Sequence, residues 1–299
     1  MASMEYSSTE SSKVVNKNKA KNKNVITINK FNIDDFKMSD MFMRKLPNGT
    51  SIKRAYFNFH PNGTEQGKSF YLQTPEMKSP FGAGCYGEDQ VKKWSIELSF
   101  SQDSEDKFMN NIKKIDNFCI ENAFANSKSW FNKANMKKDN IDLLYNPIIR
   151  YNMKDGEKDT KYPPRMKLKI PNKEGTNMLD PAVKVFDFDT NEPITTDNLP
   201  IEEIFPKGCF VKCLVASQGV YFAAGKFGLS FRIEHVKVKL PDNIKGYSFQ
   251  DSDDEEEEDK PQPQKTEKNT KKEKEKEKNS ASDGSSDNEE FVEDSDIED

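Results

Sequence analysis

Apolar residues recur at every second position in one short run after another between Val25 and Phe249, and that period leaves the chain little choice but strands. In KKWSIELSF, residues 92–100, Trp94, Ile96, Leu98 and Phe100 share one side and Lys93, Ser95, Glu97 and Ser99 the other, the pattern of a half-buried strand. SIKRAYFNFH (51–60), then Pro61-Asn62-Gly63, then KSFYLQT (68–74) predicts a hairpin with Ala55, Phe57, Phe59, Phe70 and Leu72 facing inward. PIIRYNM, RMKLKIP, AVKVFDFD, CFVKCLVA and GLSFRIEHVKVK continue the series. One long segment breaks the period. EDKFMNNIKKIDNFCIENAFA brings Phe108, Ile112, Ile115, Phe118, Cys119 and Ala123 to helical spacing, behind Asp103 or Ser104 as the cap. A shorter helix over DNIDLLYN stops before Pro147.

The fold class expected from this is mainly β with inserted helices (α+β). Mostly antiparallel strands with one principal helix among them suit an elaborated, OB-fold-like antiparallel barrel better than alternating βαβ units. The ends do not belong to it. Residues 1–24 are polar with no apolar period, and residues 251–299 hold only Phe291, Val292 and Ile297 as sizeable apolar side chains. Neither can offset an ordering entropy of about 1–2 kcal/mol per residue, so the expectation is a disordered basic arm (1–24), one domain (25–250) and a disordered acidic tail (251–299).

Charge divides along the same boundary. From Asp251 to Asp299 there are 21 Asp and Glu against 8 Lys, a net of −13, which leaves 30 acids and 38 bases in the rest of a chain whose total is −5. A basic body suits a polyanion, and an acidic tail suits a protein or the body itself. No run of 18 apolar residues and no apolar stretch behind the N-terminal charges is present, so a soluble intracellular protein is expected, with no membrane partner. The Asn-Gly-Thr triplets at Asn48 and Asn62 then read as turns rather than glycosylation sites. Cys85, Cys119, Cys209 and Cys213 have no framework spacing, and with only His60 and His235 to help, Cys209 and Cys213 read as buried apolar filling rather than zinc ligands.

Several catalytic motifs nearly form. Gly82-x-Gly84-x-x-Gly87 matches the dinucleotide fingerprint but follows Pro80-Phe81 and runs into a strand, so it reads as a flexible glycine loop. GVYFAAGKF has five residues between Gly219 and Gly225 where a phosphate loop needs four, and Phe227 where Ser or Thr belongs, so it reads as a hairpin. Asp187 and Asp189 share a strand face without further ligands nearby and read as a solvated strand end. No nucleophile stands beside a base. The expectation is no enzyme, no cofactor and no metal.

Binding remains. A single-strand binder needs cations to follow phosphates and rings on which bases stack. Arg54 and Tyr56, Lys68 and Tyr71, Phe81 and Tyr86 with Lys92 and Lys93, and Tyr221, Lys226, Phe227 and Arg232 interleave the two, and Arg150 and Lys212 complete the candidate DNA-binding set. Strand alternation turns Arg54, Tyr56 and Tyr71 away from the inward phenylalanines, while Trp94, Phe100, Phe108, Phe118, Phe210 and Phe231 are assigned to the core.

SFYLQTPEMKSPFG (69–82), KKWSIELSF leading into NNIKKIDNFCIENA, and CLVASQGVYFAAGKFGLSFRIEHVKVK (213–239) resemble the single-stranded DNA-binding proteins of nucleocytoplasmic large DNA viruses, over residues 50 to 240. The resemblance implies an OB-fold elaborated with helices and binding of strands displaced in DNA replication, repair or recombination. Phe231 departs from it, standing where that family's pattern leads one to expect tryptophan. The tail is similar in plan to those of phage and bacterial single-strand binders. It would lie on the basic groove until DNA displaces it, then dock replication or recombination proteins through Phe291, Val292 and Ile297. Ser252, Ser286 and Ser295 precede acidic clusters and are candidate phosphorylation sites. A viral protein of this kind is expected in a cytoplasmic replication factory or the nucleus, self-associating on DNA and packaged in the virion. The alternative is a virion core scaffold or histone-chaperone-like protein, whose acidic tail binds basic proteins.

Overall fold

The computed structural model describes residues 24–46, 49–87 and 92–241. The chain first lays down short strands, β1 (Val25–Ile26), β2 (Phe36–Met38), β3 (Phe42–Lys45), β4 (Ser51–Arg54), β5 (Phe57–Phe59), β6 (Tyr71–Gln73), β7 (Met77–Lys78) and β8 (Ala83–Tyr86), before β9 (Lys93–Ser99). Helices α1 (Asp106–Ala125), α2 (Ser127–Phe131) and α3 (Lys138–Leu144) follow. Then come β10 (Tyr145–Asn146), β11 (Ile149–Arg150), β12 (Met153–Lys154), β13 (Glu157–Lys158), β14 (Arg165–Ile170), β15 (Lys184–Asp187) and the one-turn α4 (Ile201–Ile204). The two longest strands, β16 (Phe210–Ala223) and β17 (Lys226–Lys239), close the sequence of elements.

Five of these strands pair in a ring. β7 pairs with β9 through Lys78 and Ser99, β9 with β14 along their whole length, and β14 with β17 in parallel at Lys169 and Arg232. β17 returns antiparallel to β16, and β16 pairs back to β7 through Val211 and Met77. Alternation explains which side of each strand is buried: Ile96, Leu98, Met166, Leu168, Val211, Cys213, Phe231 and Ile233 all point inward and are essentially inaccessible. α1 adds Phe108, Ile112, Ile115 and Cys119 to the same core from one stripe. The β16–β17 turn is made by Ala224 and Gly225, both at positive φ (45° and 77°), which matches the strand twist as primed hairpin turns do.

The mainly β, α+β expectation agrees with this architecture, but several details differ. Residues 51–59 and 68–74 do not form a hairpin; β5 pairs with β2, a single bridge joins Phe59 to Lys68, and β6 lies between β1 and β16. The rings decide this, because Phe36 on β2 stacks on Phe57 at 4.7 Å and meets Phe70 edge-on at 5.0 Å. The glycine stretch 82–87 is not a loose loop: Ala83–Tyr86 is strand β8 on the edge of β9. Neither Asp103 nor Ser104 caps α1: both lie in a 3-10 turn over Asp103–Glu105 that Gln102 caps, with Glu105 Oε2 accepting the Gln102 N–H at 3.0 Å, and Glu105 is the residue that leads into α1. Four strand pairs are parallel, β1–β6, β10–β17, β14–β17 and β15–β17. Phe210 is only half-buried, with the Lys78 ammonium 5.9 Å from its ring, and Phe118 sits at the core edge 5.6 Å from Phe57.

Candidate nucleic-acid interface

The outward face of β9 and β14 is built by register. Arg165 lies opposite Ser99, Lys167 opposite Glu97 and Lys169 opposite Ser95, while the intervening Met166, Leu168 and Ile170 are in the core. On the other edge of β9, Gly84 is opposite Ser95 and Tyr86 opposite Lys93; on the other edge of β14, Arg150 is opposite Arg165. Residues directly opposite across strands share a face. Among the described residues paired here, one surface therefore carries Lys93, Arg150, Arg165, Lys167 and Lys169 against one carboxylate, Glu97, which is held by Arg165 at 2.7 Å.

Two rings stand on this surface, each under a cation of β14. The Arg165 guanidinium is 5.2 Å from the Phe81 centroid, and the Lys167 ammonium 4.2 Å from that of Tyr86. Phe81 is 57% exposed, which is informative because its backbone is pinned. Ser79 N–H donates to Cys209 O, Gly208 N–H to Ser79 O, Ala83 N–H to Phe205 O, and Gly82 N–H to Ser79 Oγ. Gly82 has φ +72°, and a Cβ there would lie 2.6 Å from Phe205 O, so only glycine lets the loop approach this closely. An apolar ring is thus held in water on a fixed support.

The other candidates are dispersed. Tyr71, Ala216, Arg232 and Lys169 are successive partners across β6, β16, β17 and β14, so two strands stand between Tyr71 and Lys169 along that side of the ring. Lys212 lies farther along β16, opposite Lys237, and Arg232 is paired with Glu234 at 2.7 Å. Lys92 is half-buried beside Lys93, with its carbonyl held by Asn172. Lys68 is exposed on its bridge to Phe59, and Lys226 is exposed at the start of β17. Tyr56 is 41% exposed and packs on Phe42, and the Tyr221 hydroxyl accepts from Asn146, both at the hairpin end of β16.

Two assignments need correction. Phe227 is wholly buried among Trp130, Phe131 and Tyr145; it alternates in step with the buried Leu229 and Phe231 along β17, and the rings of α2 pack over it. Arg54 is buried to 9% exposure on the ribbon that packs on β16. Neither offers a surface to a base. Phe291, Val292, Ile297, Ser252, Ser286 and Ser295 lie outside the described residues. Arg165, Lys167 and Lys169 were missed, although RMKLKI alternates as cleanly as KWSIELS.

Elsewhere, titratable groups serve the fold. Burial pushes Asp116 up to about 6, against hydrogen bonds from the Tyr145 hydroxyl (2.6 Å) and the Ile148 N–H (3.0 Å) that hold α1 to the β10–β11 segment. Burial also pushes the Cys209 thiol up to about 11 and raises Cys119 and Cys213 further, so these remain neutral apolar filling. The Thr190 N–H and hydroxyl and the Asp189 N–H hold Asp187 below its usual range in a strand-end turn. Among the described residues no group of three His, Cys, Asp or Glu could hold a metal ion. No helix there is long and apolar enough to cross a membrane.

No family model and no curated protein matches the chain. Among solved structures it is similar to the single-stranded DNA-binding protein from bacteriophage Enc34 in complex with ssDNA, with 17% identity, 58% of this chain and 88% of that one covered, and a TM-score of 0.35. The C-terminal truncation of that protein gives 16% identity, 68% and 97% coverage, and again 0.35.

Proposed function

We propose that this protein binds single-stranded DNA without an enzymatic step and with little regard to sequence, on the outward face of β9 and β14. The observation that carries the reading is the pair of outward rings, Phe81 and Tyr86, each beside a cation of β14, on a surface whose described, register-paired residues are five cations and one carboxylate. Bases stack on the rings and phosphates lie on Lys93, Arg150, Lys167 and Lys169; every base has a π-face, so the arrangement tolerates sequence. The ring of strands supports the same reading. In chain order its members are the β6–β7 edge, β9, β14, β16 and β17, closed as one–two–three–five–four, which we read as an oligonucleotide-binding barrel. In such barrels the second and third strands and the first loop form the binding face, and here those are β9, β14 and the segment that holds Phe81 and Tyr86.

The blocks at 69–82 and 213–239 lead us to place the chain with the single-strand binders of large DNA viruses, acting on strands exposed in replication, repair or recombination. The acidic tail serves as a tethered competitor for the basic face and as a docking arm through Phe291, Val292 and Ile297. Fluorescence anisotropy of the full chain with labelled oligo-dT and with a duplex of the same length, from low to high salt, tests the core of the proposal. Preference for the single strand, with log Kd rising linearly with log salt, is expected. A slope near zero, or equal binding to the duplex, defeats it.

A further inference from the structure

A second concavity lies on the outside of the ring, away from Phe81 and Tyr86. It is an open hollow of about 170 Å³ walled by Gln73, Phe186, Lys212, Leu214, His235 and Lys237. A bulge makes it. Leu214 pairs with His235 but Val215 with Ile233, so Glu234 is an extra residue on β17; its carboxylate is taken by Arg232, and the phase change leaves His235 exposed. β15 runs parallel along the same stretch, with Lys184 opposite His235 and Phe186 opposite Lys237, which sets the Phe186 ring 6.1 Å from the imidazole at 45°.

The charges there are crowded. Lys212 and Lys237 are direct partners across β16 and β17, and like charges placed opposite one another destabilise a sheet. Lys237 is held by the Asn191 side-chain oxygen, stands 5.9 Å from the Phe188 ring and is close enough to the Asp187 carboxylate to help lower its pKa, whereas Lys212 has no anionic partner among the described residues. Two ammonium groups facing one hollow, with two aromatic rings and a carboxamide on its walls, match the chemistry of a nucleotide: an anion between the lysines, a flat π-surface beside the rings, and hydrogen-bonding edges within reach of Gln73.

We infer that this hollow holds one nucleotide of the bound strand, beyond the face on β9 and β14. The inference rests on the reading of that face as a single-strand site. The route is short, because Lys169 is the register partner of Arg232, and His235 is three residues, about 10 Å, farther along β17. The base lies against Phe186 and His235, and its phosphate between Lys212 and Lys237. The hollow therefore lengthens the site rather than creating it, and affinity depends on oligonucleotide length in steps.

The test uses the full chain with oligo-dT of about 4 and about 16 nucleotides, the range that one such fold covers. His235→Ala and Phe186→Ala are each expected to weaken binding of the long oligonucleotide roughly tenfold, as loss of one stacked base does, and to leave the short one unchanged. Since Phe186 is half-buried, the exposed His235 supplies the variant whose folding is not in question. Imidazole NMR gives a direct reading, because the chain has 2 histidines and His60 is buried elsewhere. The His235 resonances should move with the long oligonucleotide and stay in place with the short one. Unchanged affinities at both lengths with unmoved His235 signals overturn the inference while leaving the β9–β14 site standing. A peptide of residues 283–299 that moves His235 where the long oligonucleotide does not would give the hollow to an acidic segment instead. If the wild-type chain binds neither oligonucleotide, the reading of the face falls and this inference with it.

Discussion

Replacing Phe81 by alanine separates a stacking platform from a packing residue. Full burial of a phenylalanine side chain is worth roughly 1.5–3 kcal/mol, and Phe81 keeps 57% of its surface in water, so truncation gives up less than half of that, near 1 kcal/mol. The contact with Arg165 adds about 0.5–1 kcal/mol at an exposed site. The backbone is held by Ser79, Phe205 and Cys209 through main-chain and Ser79 hydroxyl contacts that do not involve the ring, so the loop should keep its place. Loss of a stacked base costs about 1–3 kcal/mol, so Kd should rise by roughly 5- to 150-fold while the fold loses no more than about 2 kcal/mol. Trp94→Ala is the counterpart: that ring is 4% exposed, and its truncation should cost about 3–5 kcal/mol of stability. Urea denaturation and oligo-dT anisotropy on both variants decide it. A Phe81→Ala protein as unstable as Trp94→Ala, or one whose Kd is unchanged, would refute the placement of the ring as a base platform.

Other consequences are simpler to state. Lys167→Gln should weaken single-strand binding at low salt and reduce the magnitude of the log–log salt slope by about 0.7, the share of one phosphate contact; an unaltered slope would mean that Lys167 only supports Tyr86. Deleting residues 251–299 should tighten binding chiefly near 0.01 M salt, where the Debye length is about 30 Å, and little near 0.15 M, where it is about 8 Å. Equal affinities with and without the tail at every salt concentration would show that it does not visit the face. Asp116 binds its proton more tightly folded, at about 6, than its ordinary 3.8, so the native state holds more protons between those values. Its contribution is complete below about pH 4 and is lost as pH rises to about 6, some 2–3 kcal/mol in all. Asp116→Asn should flatten stability against pH in that window, and denaturant melts that keep the slope would show another group to be responsible.

Local alternation made most inward residues of β9, β14, β16 and β17 legible, because a strand with one wet face must repeat every two residues. What stayed hidden depends on partners distant in sequence. RMKLKI contains no ring, and nothing in its own residues says that Arg165 and Lys167 meet Phe81 and Tyr86; that follows from β9 pairing with β14 on one edge and β8 on the other. Phe227 was misplaced for a related reason. Phe227 stays in step with the buried Leu229, Phe231 and Ile233 along β17, and what meets its ring is Trp130 and Phe131 of α2, a five-residue helix without strong period and distant in sequence. The strands before Ser51 are two to four residues long, too short to show a period at all.

Charge order within the tail bears on how it would act on the face. Residues 251–259 carry 8 acids and no base, residues 260–278 carry 8 lysines and 4 glutamates, and residues 283–299 carry 9 acids and no base. A basic middle cannot compete for a basic surface, so competition is left to the two acidic blocks, which differ in reach. Described structure ends at Pro241, at the end of β17, and ten residues from there an extended chain reaches Asp251 within about 35 Å. Under the proposed function the proximal block would compete at the higher effective concentration, because fewer residues tether it. The distal block, with Phe291, Val292 and Ile297, is some forty residues farther along and pays more entropy to return. On the proposed function we therefore assign competition with DNA to Asp251–Asp259 and partner docking to the tip, since the lysines between them carry the sign of the face and would not compete for it.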